Sequence, residues 1–109
     1  MNSNSIKNFL SSSYYDTGKL TKSDYENYYK PFTIKNSYKT LSYILNSQYE
    51  VKYNPEQISA PTLLVHGGND TWIEPTTSFN LQQKIKNSQL VIIPKAGHLV
   101  MAERSTEFD

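Results

Sequence analysis

Two short aliphatic runs, TLLVH at residues 62–66 and LVII at residues 90–93, constrain the fold of this chain more than any other feature. The first enters behind Pro61 and leaves through Gly67-Gly68; the second leaves through Pro94, with Gly97 close behind. Short, continuous and bounded by turn residues, each reads as a strand buried on both faces. Between them, residues 76–86 carry Ser78, Leu81 and Ile85 at helical spacing. Strand, helix, strand with uniformly apolar strands predicts a βαβ crossover in a parallel sheet covered on both faces. Two strands alone are marginal in water, so the unit is expected to be the edge of something larger. A further helix is predicted to start after His98 and run to Asp109.

The upstream half differs in character. All nine tyrosines fall at or before Tyr53, whereas three of the four glycines lie after Pro55. The change places a boundary near residues 54–60, with a helical segment at 1–57 and an α/β segment at 58–109. In TKSDYENYYKP, Thr21 is a helix cap, Asp24 stands in the place of a capping-box acid, and Pro31 is a stop signal. A second helix is predicted over residues 36–49, with Tyr38, Leu41, Ile44, Leu45 and Tyr49 on a packing face. Tyrosines on such a face ordinarily pack, with a wet hydroxyl, and bind no ligand.

Composition excludes several classes. Lys+Arg number 11 against Asp+Glu 10, so no basic footprint suggests nucleic acid. There is no cysteine, hence no disulfide framework or thiolate metal site. The opening MNSNSIKNFL lacks the apolar stretch of a secretory signal, and the aliphatic runs are far too short to span a membrane. A cytoplasmic protein with no nucleic-acid or membrane partner is expected.

Reactive groups in open α/β sheets gather beyond the carboxyl ends of the strands. Two ionisable residues are predicted there: Asp70 after the first strand, in HGGND, and His98 after the second, in PKAGH. An aspartate in a Gly-rich loop is ordinarily a turn residue or cap, and a histidine near a strand end is ordinarily structural. Their equivalent positions on successive parallel strands favour the functional reading. In a βαβ unit both loops open on one edge, so the two side chains are expected to meet. A carboxylate beside an imidazole fixes its tautomer and stabilises the imidazolium, as in the orienting half of a nucleophile–His–acid triad. Gly67 and Gly68 allow a sharp turn, and Gly97 a close backbone approach. His66, within a strand, is expected to pack. The HGG at 66–68 superficially matches an oxyanion-hole glycine motif, but its position, with Asp70 following, argues against that role. Trp72 and Met101 flank the site, as pocket lining or as packing. No HExxH or comparable spacing suggests a metal, and no glycine motif a phosphate, so no cofactor is expected.

With these residues in view, the sequence resembles the C-terminal portion of an α/β-hydrolase fold protein. The resemblance runs through ISAPTLLVHGGNDTWIEP, a helix ending in KIKNSQL, and VIIPKAGHLVMAERSTEF. It implies Pro61 at the strand entrance, Asp70 as triad acid, Pro75 a few residues on, and Gly97-His98 after the next strand. Glu103-Arg104 and Glu107-Phe108 match the start and end of the helix that usually follows. More weakly, YYDTGKLTKSDYENYYKPF resembles a helix of the family's mobile cap, and the helix near 36–49 its return to the core. The implied fold is α/β: the C-terminal βαβ portion of a hydrolase sheet, preceded by a helical cap segment.

The departure is as informative. The family carries its nucleophile on a Gly-x-Ser-x-Gly elbow upstream of the acid and the histidine, and relatives resembling dehalogenases or epoxide hydrolases put Asp there. The glycines at 18, 67, 68 and 97 flank no Ser, Asp or Cys in that pattern. The oxyanion-hole segment and early strands are missing too. The resemblance implies a hydrolase fragment that holds the acid and histidine for cleaving a small ester-like substrate and is inactive until completed by the missing N-terminal core. The alternative is a non-catalytic interaction module derived from the same fold, pairing its open sheet edge with a partner.

Overall fold

The computed structural model describes residues 2–47 and 52–109. Helix α1 spans Ser3–Ser12, α2 Lys22–Tyr29 and α3 Ser37–Asn46; strand β1 spans Thr62–Gly67, α4 Thr76–Lys84 and β2 Ser88–Ile93; two single-turn helices, α5 (Val100–Glu103) and α6 (Ser105–Phe108), follow. Short 3₁₀ turns occupy Thr17–Lys19, Lys30–Thr33 and Pro55–Gln57.

Strands β1 and β2 pair in parallel, from Thr62 opposite Ser88 to Gly67 opposite Ile93. Side chains alternate between faces along a strand. One face therefore carries Leu64, His66, Leu90 and Ile92, all half-buried, and α4 turns toward it through Ser78, whose hydroxyl meets His66. The other carries Leu63, Val65, Gln89, Val91 and Ile93. There Ile93, Ala96 and Val100 form a buried cluster with Val65 against it, at the strands' carboxyl end only. Toward the amino end Leu63 stays 61% exposed and Val91 44%. The expected double covering is thus partial on both faces, since this chain supplies a single crossover helix.

The start of α2 follows its sequence signals. The Thr21 hydroxyl accepts from the Asp24 N–H at 3.2 Å and the Asp24 carboxylate accepts from the Thr21 N–H at 2.8 Å, closing a capping box. The preceding stretch, read as part of the same cap-like helix, instead holds the 3₁₀ turn at 17–19, where Asp16 accepts from the Gly18 N–H. Helix α3 begins after Asn36 in a left-handed conformation (φ 69°). The face expected to pack does so only at half-buried Leu41; Tyr38, Ile44 and Leu45 are exposed, and Tyr49 lies outside the described residues. The 3₁₀ turn at Lys30–Thr33 is the main neighbour of α3, too small a surface to cover the stripe.

Helix α1 had no expectation attached to it. Asn2 caps it by accepting from the Ser5 N–H, and Ile6 and Leu10 are buried. The helix predicted after His98 is broken: Arg104, at φ −125° and ψ 50°, separates α5 from α6. Among the described residues, no helix is long and apolar enough to cross a membrane.

Candidate functional site

The loops that leave β1 and β2 are bound to each other before any side chain enters. The Gly68 N–H donates to the Ile93 carbonyl at 2.8 Å and the Asn69 N–H to the Ala96 carbonyl at 2.8 Å. Asn69 Oδ1 accepts from the Lys95 N–H at 3.1 Å, which holds Lys95 in the left-handed region at φ 53°. The approach is close enough to require glycine. A Cβ on Gly67 would overlap the Gly97 carbonyl oxygen and stand 2.6 Å from that of Ala96.

This stitching brings Asp70 and His98 together. His98 Nδ1 lies 2.9 Å from Asp70 Oδ2, with the carboxylate side chain 4% exposed and the imidazole 30%. The other carboxylate oxygen, Oδ1, accepts from the Trp72 N–H at 2.9 Å and the Ile73 N–H at 3.0 Å. Burial pushes the Asp70 carboxyl up, but the hydrogen bonds from the Ile73 N–H, His98 and the Trp72 N–H outweigh it and hold it below its ordinary value. Facing an ionised carboxylate, Nδ1 of neutral His98 carries the proton. Nε2 is then a free lone pair that makes no hydrogen bond among the described residues. Such a pair can take a proton at Nε2 and stabilise the cation that results.

The upstream helices reach this corner. The Trp72 ring lies 4.7 Å from the His98 ring between centroids, and Phe9 of α1 lies 4.5 Å from Trp72 on another side. Trp72 Nε1–H donates to Ser12 Oγ at 3.0 Å. The Leu99 N–H donates to the carbonyl of fully buried Ser13 at 3.2 Å. Trp72 therefore packs and lines the site at once, while Met101 is half exposed.

Glu103 ties the same junction from below. Its buried carboxylate accepts from the Gly97 N–H at 2.8 Å, the Tyr15 N–H at 3.0 Å and the Asp16 N–H at 2.6 Å. Its carbonyl accepts from Lys19 Nζ at 2.9 Å. Sequence reasoning missed this use of Glu103, three of whose donors lie 84 to 88 residues distant, beyond any local pattern.

His66 packs as expected, its side chain 10% exposed, but packing is not all it does. Its ring reaches polar groups on both sides: Nδ1 lies 2.5 Å from Ser78 Oγ, and Nε2 lies 2.9 Å from the Ile73 carbonyl and 3.2 Å from Asp70 Oδ2. The ring sits on the face that α4 covers, where Ser78 is the nearest polar partner. No group of three or more His, Asp or Glu residues that could hold a metal ion occurs among the described residues.

A parallel βαβ unit presenting a carboxylate–imidazole pair beyond adjacent strand ends defines a class, the α/β proteins with reactive groups on their strand-tip loops. Comparison makes the class specific. The family model of the alpha/beta hydrolase fold matches residues 4–105, and the chain belongs to that family. Over 53 residues it is 32% identical to the mouse sn-1-specific diacylglycerol lipase ABHD11, spanning 49% of this chain and 17% of that protein. A mutant of CumD, a meta-cleavage product hydrolase from Pseudomonas fluorescens IP01, superposes with a TM-score of 0.86 at 18% identity, covering 98% of this chain and 42% of that one. CarC, a serine hydrolase involved in carbazole degradation, gives 0.83 at 23% identity, over 98% and 44%. The chain thus spans less than half the length of each of these proteins, and the two structural likenesses speak for the fold alone.

Proposed function

We propose that Asp70 and His98 are the acid and the histidine of a nucleophile–His–acid triad that hydrolyses small ester-like substrates, with the nucleophile on polypeptide outside these 109 residues. The observation that carries the reading is the 2.9 Å contact between His98 Nδ1 and buried, hydrogen-bonded Asp70.

In this reading His98 Nε2 takes the proton of the nucleophile as its oxygen attacks the substrate carbonyl. Asp70 holds the imidazole in the Nδ1–H tautomer and stabilises the cation. The proton then passes to the departing alkoxide, leaving the acyl group on the nucleophile. His98 next takes a proton from water as that water attacks the acyl carbon, and returns it to the nucleophile. Residues 1–57 act as the cap above this corner, through the contacts of Phe9, Ser12 and Ser13. The lipase activity in the name of ABHD11, an ester hydrolysis, supports the substrate class.

Removing a triad nucleophile costs on the order of a million-fold in rate, and this sequence has no elbow to carry one. The test is ester turnover by the purified chain, alone and co-expressed with a polypeptide bearing the early strands and Gly-x-Ser-x-Gly elbow of a related hydrolase. The expected result is none alone and turnover by the pair, abolished by His98→Ala. Turnover by the chain alone, or pair turnover indifferent to His98→Ala, overturns the proposal.

A further inference from the structure

Two imidazoles stand beside Asp70 Oδ2, His98 Nδ1 hydrogen-bonded at 2.9 Å and His66 Nε2 at 3.2 Å. The partners of the two rings differ in kind. His66 Nε2 also faces the Ile73 carbonyl at 2.9 Å, which can only accept, so this nitrogen must carry a proton. His66 Nδ1 faces the Ser78 hydroxyl, which donates when the nitrogen offers a lone pair. Neutral His66 is thereby held as Nε2–H, whereas neutral His98 is held as Nδ1–H by the same carboxylate.

We infer that His66 is a positioning residue for Asp70 and, through it, for His98, and that the two histidines hold opposite tautomers. This inference rests on the triad reading above. Three contacts close a ring. The Ile73 N–H holds Asp70 Oδ1, the Ile73 carbonyl holds His66 Nε2–H, and the edge of the His66 ring stands 3.2 Å from Asp70 Oδ2. Two backbone N–H groups on Oδ1 fix one end of the carboxylate but leave it free to swing about that end. By holding Ile73, whose N–H anchors Oδ1, and by packing its ring edge 3.2 Å from Oδ2, His66 limits that swing. His66 does not compete with His98 as a base, because its nitrogens are occupied by Ser78 and Ile73 in a side chain only 10% exposed.

The chain contains only these two histidines, so long-range ¹H–¹⁵N NMR correlations on the full chain at a pH where both rings are neutral read each tautomer directly. The expected result is Nε2–H for His66 and Nδ1–H for His98. His66 as Nδ1–H with His98 unchanged overturns this inference and leaves the triad reading standing; His98 as Nε2–H sinks the triad reading and this inference with it. Two variants then test positioning. His66→Gln retains an N–H donor and is expected to leave the His98 Nδ1–H resonance in place. His66→Phe keeps a ring without a donor and is expected to speed exchange of that proton with solvent roughly tenfold, the scale of one hydrogen bond. Unchanged exchange in the Phe variant overturns the positioning role.

Discussion

The carboxylate of Glu103 accepts the backbone N–H of Gly97, the residue before His98, and with the same group accepts the N–H of Tyr15 and of Asp16. One side chain thus joins the histidine loop to the segment that follows α1. Charge-assisted bonds to a buried carboxylate are stronger than neutral ones, and removing the acceptor leaves the buried Gly97 N–H unpaired at about 1–3 kcal/mol, while the part-buried Tyr15 and Asp16 amides can turn to water. Glu103→Ala is expected to destabilise the chain by about 2 kcal/mol, read by denaturant unfolding, and to expose the Gly97, Tyr15 and Asp16 amides to hydrogen exchange together. Protection that survives at Tyr15 and Asp16 would show that the junction holds without Glu103.

Asp70 sets a pH dependence whose sign follows from its lowered pKa. The folded state binds the Asp70 proton more weakly than the unfolded state does, so the contribution is complete above the unfolded carboxylate pKa of about 3.9. It is lost as pH falls from there through the lower folded value. Stability is expected to be flat with respect to this group above about pH 5 and to fall below pH 4. Asp70→Asn should lessen the acid slope, as measured by unfolding midpoints at successive pH values. The same slope in wild type and variant would contradict the assignment. In the reconstituted enzyme proposed above, Asp70→Asn is expected to cost on the order of 10⁴-fold in kcat, because the amide favours the wrong imidazole tautomer.

The meeting of Asp70 and His98 was legible in the sequence because it follows from topology. Two strands in one parallel unit send their loops to the same edge, and Gly67 and Gly97 mark where the backbones touch. The capping box at Thr21 and Asp24 was equally legible, being a local pattern of four residues. The α3 stripe was misleading for a different reason. Periodicity shows which side of a helix is apolar but not whether a neighbour exists to cover it, and in this chain Tyr38, Ile44 and Leu45 stand exposed. Helix α1 had a signal that went unused, Ile6, Phe9 and Leu10 behind the Asn2 cap. Arg104 broke the last helix without a proline or glycine to announce it, and the ring nitrogens of His66 and the carboxylate of Glu103 find partners that only the folded chain brings near.

Gly67 is expected to tolerate no side chain. The added methyl of Gly67→Ala would meet the carbonyls of Gly97 and Ala96, which are backbone and cannot rotate aside. Overpacking of this kind costs about 1–3 kcal/mol, and its local effect is to part the loops carrying Asp70 and His98. Loss of the His98 Nδ1–H resonance is expected even where the chain remains folded. Gly68→Ala, whose methyl would find its nearest contacts at 3.3 Å or beyond, provides the milder comparison, and equal effects from the two would argue against a steric cause.

Trp72 is the contact through which α1 reaches the imidazole, and it separates packing from chemistry. Trp72→Phe keeps an aromatic face toward His98 and Phe9 but removes the Nε1–H donated to Ser12 Oγ. Trp72→Leu removes both. The His98 ring therefore keeps an aromatic neighbour in the Phe variant and loses it in the Leu variant, so exchange of its Nδ1–H with solvent should be faster in the Leu variant. Hydrogen exchange at Ser12 and Ser13 should quicken in both variants, since each loses the indole bond to α1. His98 Nδ1–H exchange that quickens equally in the two would assign the effect to displacement of the helix, and the ring face would then have no part in it.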